Sequence, residues 1–314
     1  MKTGKRRKRQ RQENPSDSTG TESEGKKRRK NTHTTSNAPP KDSMEDAAVI
    51  FQDAMTKVKS NSENGDEEDV ANVFFDLANS PMVGFRIDME SNGGKKKQQD
   101  QASIVVQQNI GTTAHTGGIV WETAYLLLQY LLAGSNRRPL GKTLEVGAGC
   151  GLLGQVLAAH NIVDQVVMTE HAIVTDTGHL ATNVERNKDI WSQSAPVYVE
   201  NLDWENYERD TAKSEHLIPH SYDTIVGTDV VFTPKLVEPL WKTLKYMSHP
   251  KTNIYLCLQE RCEASHKLLL EKASSFHFHL TDITNQLESI PSCKWGKDLD
   301  CRLFHITVNK EESS

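Results

Sequence analysis

The stretch Leu144-Glu145-Val146-Gly147-Ala148-Gly149-Cys150-Gly151-Leu152-Leu153-Gly154 holds the densest set of residues suited to chemistry. An apolar strand runs into a glycine-rich turn, and a helical segment follows. Glycines let a backbone approach a ligand closely and take φ > 0 without a side-chain clash. In open α/β sheets ligands bind beyond the carboxyl ends of strands, where this turn falls. So many glycines at one strand end set it apart from an ordinary β–α turn. A dinucleotide fingerprint has similar spacing. Glu145, two residues before the first glycine, separates the two readings. A carboxylate there would repel a pyrophosphate that it faced. It suits a ligand with a positive charge, such as the methionyl ammonium of S-adenosylmethionine.

Further candidates sit at later strand ends. Glu170 closes the next apolar run and falls 21 positions after Gly149. An acid so placed is suited to ribose hydroxyls, because two carboxylate oxygens match two adjacent hydroxyl donors. Trp204, in Leu202-Asp203-Trp204, follows the third strand. Its ring could close over a flat base, or could simply be a partly buried surface-layer Trp. Asp229 ends the apolar run that begins at Asp223, and Phe232 follows three residues later. A carboxylate there can hold or deprotonate an amine, and an aromatic wall can hold a cation. Asp229 by itself would also suit a turn or a helix N-cap. Trp121, in Thr116-Gly117-Gly118-Ile119-Val120-Trp121-Glu122, precedes an apolar helix. By composition it fits core and site equally.

These residues need a scaffold of alternating strands and helices. Strands are expected at Thr143–Val146, Gln165–Thr169, Pro196–Glu200, Tyr222–Thr228, Asn253–Leu258, Phe276–Asp282 and Arg302–Val308. Helices are expected at Leu152–Ala159, Ala172–Asn187, Lys235–Met247 and Glu263–Ser274. Such alternation predicts a doubly wound, mostly parallel seven-stranded sheet with helices on both faces. The two late strands lack a full helix between them and predict an antiparallel edge hairpin. Ahead of this domain, Gly84–Glu90 and Ala102–Ile110 read as a β-hairpin with Gly93-Gly94 and Lys95–Lys97 at its tip.

Residues 1–50 contain no Phe, Trp or Tyr and are expected to be disordered. A short helical segment is expected at Ala47–Val58, and Ser60–Asp69 reads as an acidic linker. The chain thus divides into a basic tail and linker (1–69), a hairpin extension (70–113) and the α/β domain (114–310). The net charge of -5 hides an asymmetry, since residues 1–40 carry 12 Lys/Arg against 4 Asp/Glu. The clusters Lys5–Arg9 and Lys26–Lys30 suit nuclear import or nucleic-acid binding, or serve as a solubilising tail. The acidic remainder is a poor track for nucleic-acid phosphates. No apolar run has the ~20 residues a membrane span needs. The five cysteines show no C-x-x-C pairing, which fits a reducing compartment and argues against a structural zinc site. Nuclear or cytoplasmic location is the resulting expectation, and a monomer is taken by default.

Taken together, the motifs Gly-Gly-Ile-Val-Trp-Glu (117–122), Glu-Val-Gly-Ala-Gly-Cys-Gly-Leu (145–152), Thr-Glu (169–170), Leu-Asp-Trp (202–204) and Gly-Thr-Asp-Val-Val-Phe (227–232) resemble the family-16 lysine methyltransferases. These belong to the class I, Rossmann-like S-adenosylmethionine-dependent methyltransferases. The resemblance runs from about Thr116 to Val308. It implies that Trp121 contacts the cofactor and that Gly147, Ala148 and Gly149 line its methionyl and ribose moieties. Glu170 would bind the ribose hydroxyls, Trp204 would flank the adenine, and Thr228 would line the cofactor. Asp229 and Phe232 would form the substrate-side motif. The chain departs from many relatives in having Phe232 where they carry Tyr, and Thr228 where they often have Ala.

The resemblance implies direct methyl transfer from a sulfonium to a lysine amine of a protein, without a metal or a covalent enzyme intermediate. Transfer to another side chain such as histidine, transfer to a small molecule, and a silent partner-binding module are the alternatives. The intact glycine loop and Glu170 argue against the last. Absence of an Asn/Asp-Pro-Pro-Tyr motif argues against base or amide methylation.

Overall fold

Side chains alternate between the two faces along a strand, so a strand apolar at consecutive positions must be covered on both sides. The computed structural model describes residues 48–62, 70–87, 102–111, 116–134 and 137–309. Its strands are β1 (Val49–Ile50), β2 (Met82–Arg86), β3 (Ser103–Gln107), β4 (Lys142–Val146), β5 (Gln165–Glu170), β6 (Val197–Asn201), β7 (Tyr222–Thr228), β8 (Ser248–Gln259), β9 (Phe278–Asp282) and β10 (Cys301–Val308). Strands β4 to β10 form one seven-stranded sheet in the order β6-β5-β4-β7-β8-β10-β9. On β5, Val166 and Met168 enter one core while Val167 enters the other. Helices Glu122–Leu132 and Leu152–Ala159 cover the first face, and Pro234–Met247 and Glu263–Lys272 cover the second. The sheet is therefore doubly wound.

β4, β5, β6, β7 and β8 are parallel, and β10 is antiparallel to both β8 and β9. The last strand of the chain thus lies inside the sheet, and β9 takes the edge. Strand order reverses between β5 and β7 about β4, which opens a crevice at the carboxyl ends of these strands. The single helix expected at Ala172–Asn187 is two short ones, Ala172–Thr175 and His179–Arg186, and a third, Lys188–Trp191, follows directly. Gly178, at φ +70°, makes the first break.

The amino-terminal part is more than a hairpin. β2 and β3 pair antiparallel, and β1 adds to β2 in parallel. Val49–Ile50 and the helix Phe51–Ser62 therefore belong to the folded body, although residues 1–69 read from sequence as tail and linker. Phe51 is fully buried, stacked on Tyr125 at 4.5 Å, and Phe74 meets Trp295 at 4.6 Å. The basic clusters, residues 63–69 and the Gly93-Gly94 turn lie outside the described residues. Among the described residues no helix is long and apolar enough to cross a membrane.

Two asparagines dock β3 onto the larger unit. The Asn187 side chain accepts from the Val105 N–H and donates back to the Val105 carbonyl. Asn183 does the same at Gln107 and also donates to the Cys150 carbonyl at 3.0 Å. Each amide thus substitutes for a missing strand at β3, and Asn183 joins that strand to the glycine loop. Immediately after β3, Gln108 Oε1 accepts the Val120 N–H, and Asn109 N–H donates to the Gly118 carbonyl. The extension thereby positions the segment that carries Trp121.

Candidate active site

The glycine loop leaves β4 with Gly147 at φ +69° and Gly149 at φ +55°. A Cβ on Gly147 would stand 2.7 Å from Val230 Cγ1, so neither the backbone angle nor the space admits a side chain there. The Ala148 N–H donates to the Thr169 carbonyl at 2.9 Å, which fastens the loop to β5. Glu170 ends β5. Its Oε2 accepts the Gly149 N–H and its Oε1 the His171 N–H, both at 2.9 Å. Each oxygen accepts more than one hydrogen bond, so the carboxylate can still take two hydroxyl donors.

Glu145 lies on the face of β4 that meets helix Leu152–Ala159. It is buried, and its Oε2 accepts the Gly154 N–H at 3.0 Å. Burial pushes its carboxyl up to about 8, opposed by the Gly154 bond and assisted by the charge of Glu170. Glu145 therefore holds a proton near neutral pH. It braces the glycine loop from below while also lining the crevice.

Asp229 sits one residue past β7 with φ +49°, a left-handed conformation that Asp adopts more readily than most residues. The reason is visible in the ladder. Asp229 N–H donates to the Cys257 carbonyl at 3.0 Å, and Asp229 Oδ1 then accepts the Gln259 N–H at 2.7 Å. The side chain takes the place of the carbonyl that has turned away. Asp229 Oδ2 accepts from Arg261 Nη2 at 3.1 Å, and the same nitrogen donates to Glu122 Oε1 at 2.6 Å. The Arg261 guanidinium lies 4.2 Å from the centre of the Trp121 ring. Burial raises the Asp229 and Glu122 carboxyls above their usual values, and Arg261 opposes both shifts.

Trp121, Glu145, Gly147, Ala148, Gly149, Glu170, Trp204, Thr228, Asp229 and Phe232 all line one cavity of about 810 Å³. Every site residue expected from the sequence is thus brought to one place. Phe232 is 43% exposed, at the mouth. Four carboxylates (Glu170, Asp203, Glu205 and Asp229) and the protonated Glu145 contribute to the lining, with no Lys or Arg among the described residues there. Such a surface favours cationic ligands. Sequence reasoning passed over Glu122 and Arg261. Glu122 stands in the Trp121 motif, but Arg261 follows β8 in a stretch with no motif, and only the fold brings it beside Asp229. Among the described residues no group of three or more His, Cys, Asp or Glu is arranged to hold a metal ion.

A family model described as lysine methyltransferase matches residues 98–275, more than half of the chain. The chain is 24% identical over 203 residues to EEF1A lysine methyltransferase 3 of Xenopus tropicalis, covering 64% of this chain and 80% of the relative. It is 29% identical over 197 residues to protein N-lysine methyltransferase METTL21A of Danio rerio, covering 62% and 79%. A TehB-like SAM-dependent methyltransferase from Corynebacterium glutamicum superposes with a TM-score of 0.39 at 15% identity, covering 62% of this chain and 90% of that one. With its glycine cradle, its strand-end acids and a matched segment that spans both, the chain belongs to the lysine methyltransferase family.

Proposed function

We propose that this protein transfers a methyl group from S-adenosylmethionine to the side-chain amine of a lysine in a protein substrate. The observation that carries this reading is the cavity lined by four carboxylates, with Glu145 protonated beside them and no Lys or Arg among the described residues. It suits a cationic cofactor beside a cationic side chain. When bound, S-adenosylmethionine supplies an electrophilic methyl group on a positively charged sulfur. The Gly147–Gly149 backbone leaves room for close approach, Glu170 offers two acceptor oxygens for ribose hydroxyls, and Trp204 offers a flat apolar face for the base.

At the other end, Asp229 and Phe232 receive the lysine. A lysine ammonium must lose a proton before its nitrogen can attack. The Asp229 carboxylate orients the amine and favours its approach, while Phe232 supports the cation at the mouth. The reaction then needs alignment and exclusion of water more than covalent participation by the protein. The basic clusters Lys5–Arg9 and Lys26–Lys30 support a nuclear location for at least part of the population.

The test combines purified protein, methyl-labelled S-adenosylmethionine and a cell extract. A discrete protein band labelled on lysine is expected, and Asp229→Ala should remove it while leaving cofactor binding intact. Label confined to small molecules, with cofactor binding intact, would overturn the protein-substrate reading.

A further inference from the structure

We propose that Arg261 is a positioning residue for methyl transfer, fixing the substrate-side carboxylate and the Trp121 wall in one geometry. The inference rests on the reading of Asp229 as the carboxylate that receives the lysine. Arg261 does not line the cavity, whereas Trp121 and Asp229 do. It therefore acts through them. One guanidinium nitrogen bonds both Asp229 and Glu122, and the guanidinium also lies over the Trp121 indole. Trp121 is held separately by its own N–H to the Thr116 carbonyl at 3.2 Å. Three elements distant in sequence thus meet on one side chain: the segment before helix Glu122–Leu132, the end of β7 and the turn after β8.

The arrangement solves an electrostatic problem. Glu122 and Asp229 bond the same nitrogen, so their carboxylates lie within about 6 Å of each other, where like charges oppose joint ionisation. Both side chains are largely buried, at 11% and 5% exposure, against 33% for Arg261. Among the described residues, the other titratable groups close enough to influence Asp229 are His266 on helix Glu263–Lys272, Cys257 on β8 and Cys301 on β10. Burial favours the neutral form of all three. Arg261 is thus the cation that lets both carboxylates stay charged. Without it, one proton would be shared between them and Asp229 would lose its hold on an incoming ammonium.

The experiment follows label transfer from S-adenosylmethionine to extract protein as a function of pH, at low extract concentration. In Arg261→Gln the acid limb should move to higher pH by about 1–3 pH units, the effect expected from removing an adjacent opposite charge. Glu122→Gln/Arg261→Gln, which removes the like charge as well, should bring the limb back toward the wild-type position. Arg261→Lys should keep most of the activity. Calorimetry with S-adenosylmethionine reports whether each variant is folded. Should Arg261→Gln not fold, the double variant carries the test, and its acid limb must lie above that of Glu122→Gln alone. An unshifted profile, or a shift that Glu122→Gln does not reverse, overturns the proposal while Asp229→Asn remains inactive. Full activity in Asp229→Asn would instead remove the underlying reading of Asp229, and the role of Arg261 with it.

Discussion

The carboxylate of Glu170 holds the Gly149 N–H at 2.9 Å, so the residue proposed to bind the ribose also fixes the glycine turn beside it. Glu170→Ala would remove the ligand acceptors and release the turn together. Cofactor affinity should fall by about 1–3 kcal/mol, the cost of stranding polar partners. Titration calorimetry measures this directly, and an unchanged affinity would place the ribose elsewhere.

Phe51 stacks on Tyr125 and also faces Phe74, Phe85 and Trp295. Its truncation to Ala should cost about 3–5 kcal/mol, as for a fully buried aromatic. Chemical denaturation would detect the loss. A cost near zero would mean that Val49–Ser62 is dispensable to the folded body.

Phe51 also marks where the sequence stopped being informative. It stands just after an aromatic-free stretch, and its partners are scattered from residue 74 to residue 295. The short helix expected at Ala47–Val58 is present as Phe51–Ser62, but nothing local shows that Phe51 is a core residue. The seven strands were legible because apolar runs and helical segments alternate at short range. The glycine loop and Glu170 were legible because strand-end chemistry is written in consecutive residues. Arg261 was not, because its meaning is the meeting of three segments. The position of β10 between β8 and β9 was hidden for the same reason, since pairing order is a long-range property.

Asn183 gives a prediction that joins extension to site. Its amide holds β3 at Gln107 and the glycine loop at the Cys150 carbonyl. Asn183→Ala should leave partly buried backbone groups unpaired at Gln107 and a buried carbonyl unpaired at Cys150, at a cost of about 1–3 kcal/mol of stability. It should also weaken cofactor binding, although Asn183 does not line the cavity. Paired denaturation and calorimetry separate the effects. Lost stability with unchanged affinity would show that the loop holds its shape without this link.

The carboxyl of Glu145 makes stability depend on pH. Its value in the folded protein is about 8, against an ordinary 4.5. The fold therefore binds this proton more tightly than the unfolded chain does. The stabilisation is complete below the ordinary value and is lost as pH rises through about 8. In that window the Glu145 contribution should fall with a slope approaching about 1.4 kcal/mol per pH unit. Glu145→Gln keeps an acceptor for the Gly154 N–H but cannot ionise, so its stability should fall less steeply. Asp229 and Glu122 act in the same direction but are present in both proteins, so the difference between the two curves isolates Glu145. Urea unfolding from about pH 5 to about pH 9 measures that difference. Parallel curves would mean that Glu145 is already ionised at neutral pH, and that the glycine loop rests on a buried charge instead of a neutral acid.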